Sequence, residues 1–312
     1  MAELVNVDNF ARAETNRMFA AFAAQSGGTG RWMHSRTPTP LDNQPVVRQN
    51  RDTLYSMAVI DVTDGATVTI PDPGDRYLSL MIVDQDHYIP TILHEPGEHR
   101  LTADDFDTQW VVLVPRIFVN PDDPDDVAAV NALQDGLVLD ATTGGPFPMP
   151  EYDEASLTET RNALLALGRG VRGFTTAFGR RDEVDPVHHL IGTAVGWGGL
   201  PKSEVFYLNV EPKLPLGAYR LELGDVPVDA FWSITVYNPT GFMEATDGLV
   251  SVNSTTATRN DDGTTTVNFG GPDDGRPNRL GLMEGWNYAV RMYRPRAEVL
   301  DGSWTFPGVQ PA

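Results

Sequence analysis

The sequence predicts a mainly β protein built as two β-sandwich domains, with one helix at the N-terminus and a helical connector between the halves. Three observations carry this. Short runs rich in Val, Ile, Leu, Tyr and Thr recur at 51–60, 66–70, 77–83, 88–93 and 109–114, and again at 204–210, 218–223, 230–237, 264–269 and 286–293. Turn clusters such as Asp72-Pro73-Gly74-Asp75 and Asp261-Asp262-Gly263 separate them. The length, 312 residues of which 41% are hydrophobic, suits two domains of about 150 residues, each large enough to bury a core.

Taken in order, Asp8 can cap an amphipathic helix that carries Phe10, Met18, Phe19 and Phe22 and runs out at Gly27-Gly28. The first five strand runs read as an antiparallel meander. Pro121 to Asp126 looks like a helix start followed by Val127, Val130 and Leu133 at helical spacing, and its acidic cluster suits the positive end of a helix dipole better than a calcium site. Residues 140–153 are rich in Gly and Pro and read as a linker, after which Leu157, Leu164, Leu165 and Leu167 indicate a helix over 155–178. The boundary therefore falls near 150, with a first domain at 1–150 and the helical connector plus second domain at 151–312.

Charge and composition exclude several function classes. Lys and Arg number 23 against 43 Asp and Glu, a formal charge of −20, so nucleic acid and anionic membranes are poor partners. With no Cys there is no disulfide, thiolate nucleophile, Cys-ligated zinc or iron–sulfur cluster. No stretch approaches the ~18 apolar residues of a membrane helix, and the opening MAELVNVDNF has neither a basic nor an apolar leader region, which makes a cytoplasmic chain the expectation. There is no Gly-x-Ser-x-Gly elbow and no phosphate loop, and Gly196-Trp197-Gly198-Gly199 lacks dinucleotide-fingerprint spacing and reads as a tight connection.

The most informative segment is Arg48-Gln49-Asn50-Arg51-Asp52-Thr53-Leu54-Tyr55-Ser56. Strand alternation puts Arg48, Asn50 and Asp52 on one face with Leu54, Ala58 and Ile60, and Arg51 and Tyr55 on the other with Met57 and Val59. Charges beside core residues are expensive unless paired or used. In the second half the same rule sets Trp232, Ile234 and Val236 on one face of a strand and Phe231, Ser233, Thr235 and Tyr237 on the other, while Ala289, Arg291 and Tyr293 share a face. These give a candidate ligand site at a domain interface, where pockets tend to form. Asp52 is its general base, Tyr55 or Tyr237 supplies a proton, and Arg48, Asn50, Arg51, Trp232, Arg291 and Tyr293 bind substrate with Asp84 and Asp86 nearby. No cofactor is implied.

Among the histidines, His94-Glu95-Pro96-Gly97-Glu98-His99 nearly spells a zinc-protease motif. Its second His is one position too far, and Pro-Gly breaks the helix the motif needs, so a hairpin tip is the better reading. Across an extended strand, His87 and His94 stand ~23 Å apart. Asp84-Gln85-Asp86-His87 presents two carboxylates and an imidazole at a strand end, where a divalent cation is the less favoured reading and a solvated loop the more favoured. His188-His189 falls on a short helix or turn and, pointing two ways, does not form a shared ligand set.

The run Asn50-Arg51-Asp52-Thr53-Leu54-Tyr55-Ser56 followed by Asp75-Arg76-Tyr77 resembles bacterial domain-of-unknown-function family 1254. The second half, from Gly196-Trp197-Gly198 through Ala230-Phe231-Trp232-Ser233 and Tyr237 to Leu300-Asp301-Gly302-Ser303-Trp304, is similar to its usual partner, family 1214. The resemblance implies paired β-sandwich or jelly-roll domains, similar in broad architecture to capsid proteins of large DNA viruses and frequently oligomeric. It implies no activity. Two functions are therefore expected to compete: an enzyme or small-molecule binding protein acting on a polar metabolite as a hydrolase or lyase, and a non-catalytic structural protein that assembles as a homo-oligomer.

Overall fold

A computed structural model of the chain describes residues 2–44, 47–171 and 175–312. By its internal contacts the chain forms two units, Met1–Arg36 with Thr53–Pro201 and Thr37–Asp52 with Lys202–Ala312. The first holds α1 (Phe10–Ser26), β1 (Met33–His34), β2 (Thr53–Asp61), β3 (Ala66–Ile70), β4 (Leu78–Asp84), β5 (Thr91–Leu93), β6 (Gly97–Leu101), β7 (Trp110–Phe118), α2 (Pro124–Asp135), β8 (Val138–Asp140), α3 (Glu154–Leu167) and α4 (Pro186–Gly196).

Two antiparallel sheets make this unit a sandwich, in the orders β1-β2-β7-β4-β5 and β6-β3-β8. Alternate residues Leu54, Ala58 and Ile60 of β2, Leu80 and Ile82 of β4 and Leu113 and Ile117 of β7 meet Val68 and Ile70 of β3. The opposite face of the larger sheet is buried as well, at Val59, Met81, Val83 and Val112. Double burial explains why β4 and β7 read as unbroken apolar runs. α1 packs against β2 and shares a second cluster with α3 and α4 through Phe10, Ala13, Leu157, Leu164 and Ile191. Each such buried side chain contributes ~1.5–3 kcal/mol.

Several expectations change. The strands do not form a meander, because the chain passes back and forth between the sheets: β2, β4, β5 and β7 lie in one, β3, β6 and β8 in the other. Half-buried strands need a facing layer, and this alternation supplies one. The His94-to-His99 run is accordingly a crossing from β5 to β6, with Gly97 at φ 116, and not a hairpin tip. Asn9 caps α1 in place of Asp8 and does so without a side-chain bond, its Oδ1 accepting the N–H of Asn6 instead. Asp123 caps α2 by accepting from Asp125 and Asp126, as the acidic cluster suggests.

The expected helix over 155–178 stops at Leu167, where Gly168 and then Gly170 at φ 82 end it; residues 172–174 lie outside the described ones. Residues 140–153 are not a free linker. Phe147 is buried against Phe19 and Trp110, and Gly144 and Gly145 exchange backbone hydrogen bonds with Thr29. An added Cβ at Gly28 would meet the Gly144 carbonyl oxygen at 2.3 Å, so this seam needs glycine. α3 and α4 belong to the first unit because their apolar faces need α1.

The second unit holds β9 (Val205–Val210), β10 (Ala218–Leu223), β11 (Trp232–Tyr237), β12 (Ser251–Asn253), β13 (Thr265–Gly270), β14 (Arg279–Leu280), β15 (Asn287–Tyr293), α5 (Ala297–Leu300) and β16 (Gln310–Pro311). Its sheets, β14-β13-β10-β16 and β12-β11-β15-β9, pack through Leu221, Val267 and Phe269 against Ile234, Val236, Val290 and Met292. Trp232 belongs to this core at 5% exposure, so it is a packing residue rather than the substrate-binding one expected. Among the described residues no helix is long and apolar enough to cross a membrane.

Candidate functional sites

One polar cluster lies in the second unit, on the face of β11 and β15 turned away from that core. Ser233 stands opposite Arg291 on one side and Asn253 on the other. Residues 48–52 close over it. Residues 48–52 are not strand, however: Arg48 adopts φ 53, β2 begins only at Thr53, and the alternation expected across 48–54 does not apply. The loop is instead held by its own polar groups. Asn50 Oδ1 accepts the N–H of Asp52 at 2.8 Å, and Asn50 Nδ2 donates to the Tyr293 hydroxyl at 2.8 Å. Tyr237 donates to the Gln49 carbonyl at 2.9 Å.

Asp52 is fully buried and accepts from Ser233 Oγ at 2.5 Å, while its Oδ1 has no hydrogen-bond partner among the described residues. Burial pushes its carboxyl pKa up, against the pull of Arg291 and of the Ser233 hydroxyl. Burial also opposes the Arg291 charge, but Tyr237, Tyr293 and Asp52 hold its pKa above the usual value. The structure thus brings together Asn50, Asp52, Tyr237, Arg291 and Tyr293, and Arg48 joins them through its backbone carbonyl while its guanidinium donates to Asn209 and lies 5.7 Å over the Tyr237 ring. Arg51 points elsewhere, donating to the Thr39 carbonyl at 3.3 Å. Tyr55 lies on β2 of the first unit, where the Arg116 guanidinium sits 5.3 Å from its ring centroid.

The second cluster is in the first unit, at the end of β4. Asp84 Oδ1 accepts the backbone N–H groups of Asp86 and Tyr88, both at 2.9 Å, and the loop closes with His87 at φ 67. Asp84 is only 1% exposed, yet it lines a cleft of about 270 Å³ with Tyr88, Pro90, Asp105, Asp107, Arg180, Arg181 and Asp182. Its Oδ2 accepts no hydrogen bond among the described residues. Desolvation, aided by repulsion from Asp86, raises its pKa to about 6 despite the two N–H donors and Arg181. Asp86 is occupied by Arg12 at 2.7 Å and Arg181 at 3.3 Å; Arg181 also reaches Asp107 at 3.1 Å and lies 4.2 Å over the Tyr88 ring.

His87 overturns the solvated-loop reading of Asp84-Gln85-Asp86-His87, being fully buried. The Gly198 N–H donates to its Nε2 at 2.8 Å, which makes Nε2 the acceptor. Nδ1 therefore carries the proton and donates to Thr193 Oγ1 at 2.7 Å, and that hydroxyl in turn donates to the His189 carbonyl at 2.9 Å. Burial, with the nearby His189, holds the His87 pKa well below the usual value. Both ring nitrogens are engaged, so His87 has no lone pair for the cation considered with Asp84 and Asp86. Trp197, His87, His189 and Tyr88 stack in a column, with centroid separations of 5.2, 5.6 and 4.4 Å, that ends under Arg181 at the cleft.

Sequence reasoning missed Arg12, Tyr88, Asp105, Asp107 and Arg181, and it set His189 aside. The charged run Arg180-Arg181-Asp182-Glu183 ahead of a helix start was a usable signal.

Comparisons with known proteins place this geometry in context. Over 97% of both chains, the fold is similar to the crystal structure of the VPA0106 protein from Vibrio parahaemolyticus, at 18% identity and a TM-score of 0.76. It is also similar to that of an uncharacterized protein from Burkholderia cenocepacia, at 15% identity and a TM-score of 0.52, over 98% of this chain and 87% of the other. No curated protein matches. Residues 29–89 match the family described as protein of unknown function DUF1254, and residues 214–297 match protein of unknown function DUF1214, in the tandem order that the sequence motifs resemble.

Proposed function

We propose that the protein binds a small polar molecule and that its ligand site is the first unit's cleft, where Asp84 accepts a hydrogen bond or a proton from the ligand. One observation carries this reading: a carboxylate 1% exposed, fixed through one oxygen by two backbone N–H groups, lines a cleft, and its other oxygen has no hydrogen-bond partner among the described residues. Perturbed titratable groups in clefts mark functional sites. A carboxyl raised to about 6 is also close to the operating pH, where a general base works best, so hydrolase- or lyase-type chemistry on a polar metabolite is compatible with it. The test is thermal-shift screening of polar metabolites against wild type and Asp84→Asn. At least one compound is expected to stabilise only the wild type and then to be assayed for turnover. The reading fails if no compound distinguishes the two.

A second reading, a non-catalytic structural or assembly protein, is favoured by the inward-turned network around Asp52 and Arg291, whose polar groups are mostly satisfied within their own unit. On that reading, substitutions throughout the Asp84 cleft leave every ligand response unchanged, and a concentration-dependent oligomer appears in sedimentation experiments.

A further inference from the structure

The charges of the cleft are unequal, and the inequality says what kind of ligand it accepts. Four carboxylates, Asp84, Asp105, Asp107 and Asp182, line it with two guanidiniums, Arg180 and Arg181. Both guanidiniums are already engaged: Arg180 with Asp182 at 3.2 Å, and Arg181 with Asp107 at 3.1 Å and Asp86 at 3.3 Å. Their charge is thus offset by carboxylates on the spot, although among the described residues each engages only through Nε and Nη2. Asp84 and Asp105, by contrast, have no ion-pair partner among the described residues. Asp105 spends its Oδ2 on the backbone N–H and hydroxyl of Thr102, both at 2.8 Å. Asp84 is the stronger indicator, because an ionised carboxylate is an acceptor only, its Oδ1 is taken by two backbone N–H groups, and its other oxygen is left to accept from whatever occupies the cleft.

We infer that the cleft selects a small organic cation bearing a primary ammonium group, which donates to the free Oδ2 of Asp84 while Asp105 adds a second negative charge along the cleft. This rests on the ligand-site reading above and narrows it to a chemical class. The space is sufficient: a cleft of about 270 Å³ admits a short alkylamine. The ammonium is compact and strongly hydrated, and three rotatable donors let it bridge carboxylates that a planar guanidinium would have to meet in one orientation.

The surroundings define a pH dependence. The groups facing Asp84 are Asp86, which repels its charge, and Arg181, which favours it. Around them stand Asp105, Asp107, Asp182, Arg180 and Tyr88 in the cleft, Arg12 behind Asp86, and the neutral His87 and stacked His189 behind Tyr88. An alkylammonium stays charged from pH 5 to 8, so the titration belongs to the protein. Protonating Asp84 removes the acceptor charge, and affinity falls with acidification through the range near pH 6.

The experiment is isothermal titration calorimetry of the full chain with 1,4-diaminobutane, with 1,4-butanediol and succinate as neutral and anionic probes of similar length, at pH 7.5 and 5.0. Diaminobutane is expected to bind at pH 7.5, about tenfold more weakly at pH 5.0, and not at all to Asp84→Asn; Asp105→Asn weakens it but keeps the pH dependence. Equal binding by Asp84→Asn, equal binding of the diol or diacid, or no diaminobutane binding at millimolar concentration overturns the inference. Should Asp84→Asn not fold, the wild-type pH profile and the three-probe charge series decide alone. If diaminobutane fails while a screened compound still stabilises only the wild type, the cation assignment falls and the ligand site stands. If neither responds, both fall.

Discussion

Arg291 donates from Nη2 to the backbone carbonyl of Arg48 at 2.7 Å, joining residues 243 positions apart in the chain. The same nitrogen reaches the Tyr237 hydroxyl at 2.8 Å, and Nη1 reaches Thr235 Oγ1 at 3.2 Å. One guanidinium therefore holds the irregular segment 48–52 on the polar face of β11 and β15. A planar fork of fixed donors is suited to three acceptors at once.

Arg291→Lys keeps the charge but loses this geometry. It is expected to destabilise the protein by about 2–4 kcal/mol, since a buried charge loses its partners. Urea denaturation monitored by Trp fluorescence measures it, and an unchanged midpoint would show that the fork holds nothing.

Ser233→Ala removes the hydrogen bond that Oδ2 of the Asp52 carboxylate accepts. The loss is expected to be about 2 kcal/mol at pH 8. Because the hydroxyl favours the ionised form, its removal raises the Asp52 pKa further, and the penalty shrinks as the pH falls and the carboxyl takes up its proton. Denaturation midpoints at pH 8 and pH 4 give the comparison; a penalty larger at pH 4 contradicts it.

For Asp84→Asn the direction reverses. The native carboxyl titrates near 6 and the unfolded one near 3.8, so between those values the native state binds more protons and stability falls as pH rises. Above pH 6 the full cost of the buried charge is present, about 3 kcal/mol at most. Asn keeps an acceptor for the N–H groups of Asp86 and Tyr88 without the charge. It should raise the melting temperature at pH 8 and leave it nearly unchanged at pH 4. Equal gains at both pH values would locate the effect elsewhere.

His87 is expected to remain a neutral imidazole with its proton on Nδ1 in the folded protein, visible in ¹⁵N-resolved histidine spectra as one unchanging tautomer from pH 8 to 5. Its pKa is held down, so the unfolded chain takes up a proton that the native state refuses, and stability is lost as pH falls below about 6.5. His87→Ala leaves the buried Gly198 N–H without its acceptor and opens a cavity, at a cost of about 3 kcal/mol. An Nε2-protonated signal would break the Gly198–His87–Thr193 chain as described.

Legibility depended on the range of the forces involved. The two faces of β11 separate as period two requires: Ile234 and Val236 point into the core, Ser233, Thr235 and Tyr237 toward the polar cluster, and Arg291 and Tyr293 on β15 join them. That much is local backbone geometry. The same rule failed at 48–52 because the left-handed backbone at Arg48 resets the phase, which residue identity alone does not reveal. Trp232 was misassigned because an aromatic ring suits both a core and a ligand platform, and only the facing sheet decides between them.

Composition, charge and periodicity determined by themselves a mainly β chain, its strand-rich halves, its acidic character and the absence of cysteine chemistry. Tertiary structure alone decided that residues 37–52 join the second unit, that α3 and α4 join the first, that Asp84 lines a cleft and that Asp52 is fully buried. The physical reason is that a carboxylate's chemistry depends on the desolvation and donors imposed by chain segments far away in sequence. At Asp84 these include Arg181, brought from 97 residues downstream, and nothing in the local run of residues encodes that meeting.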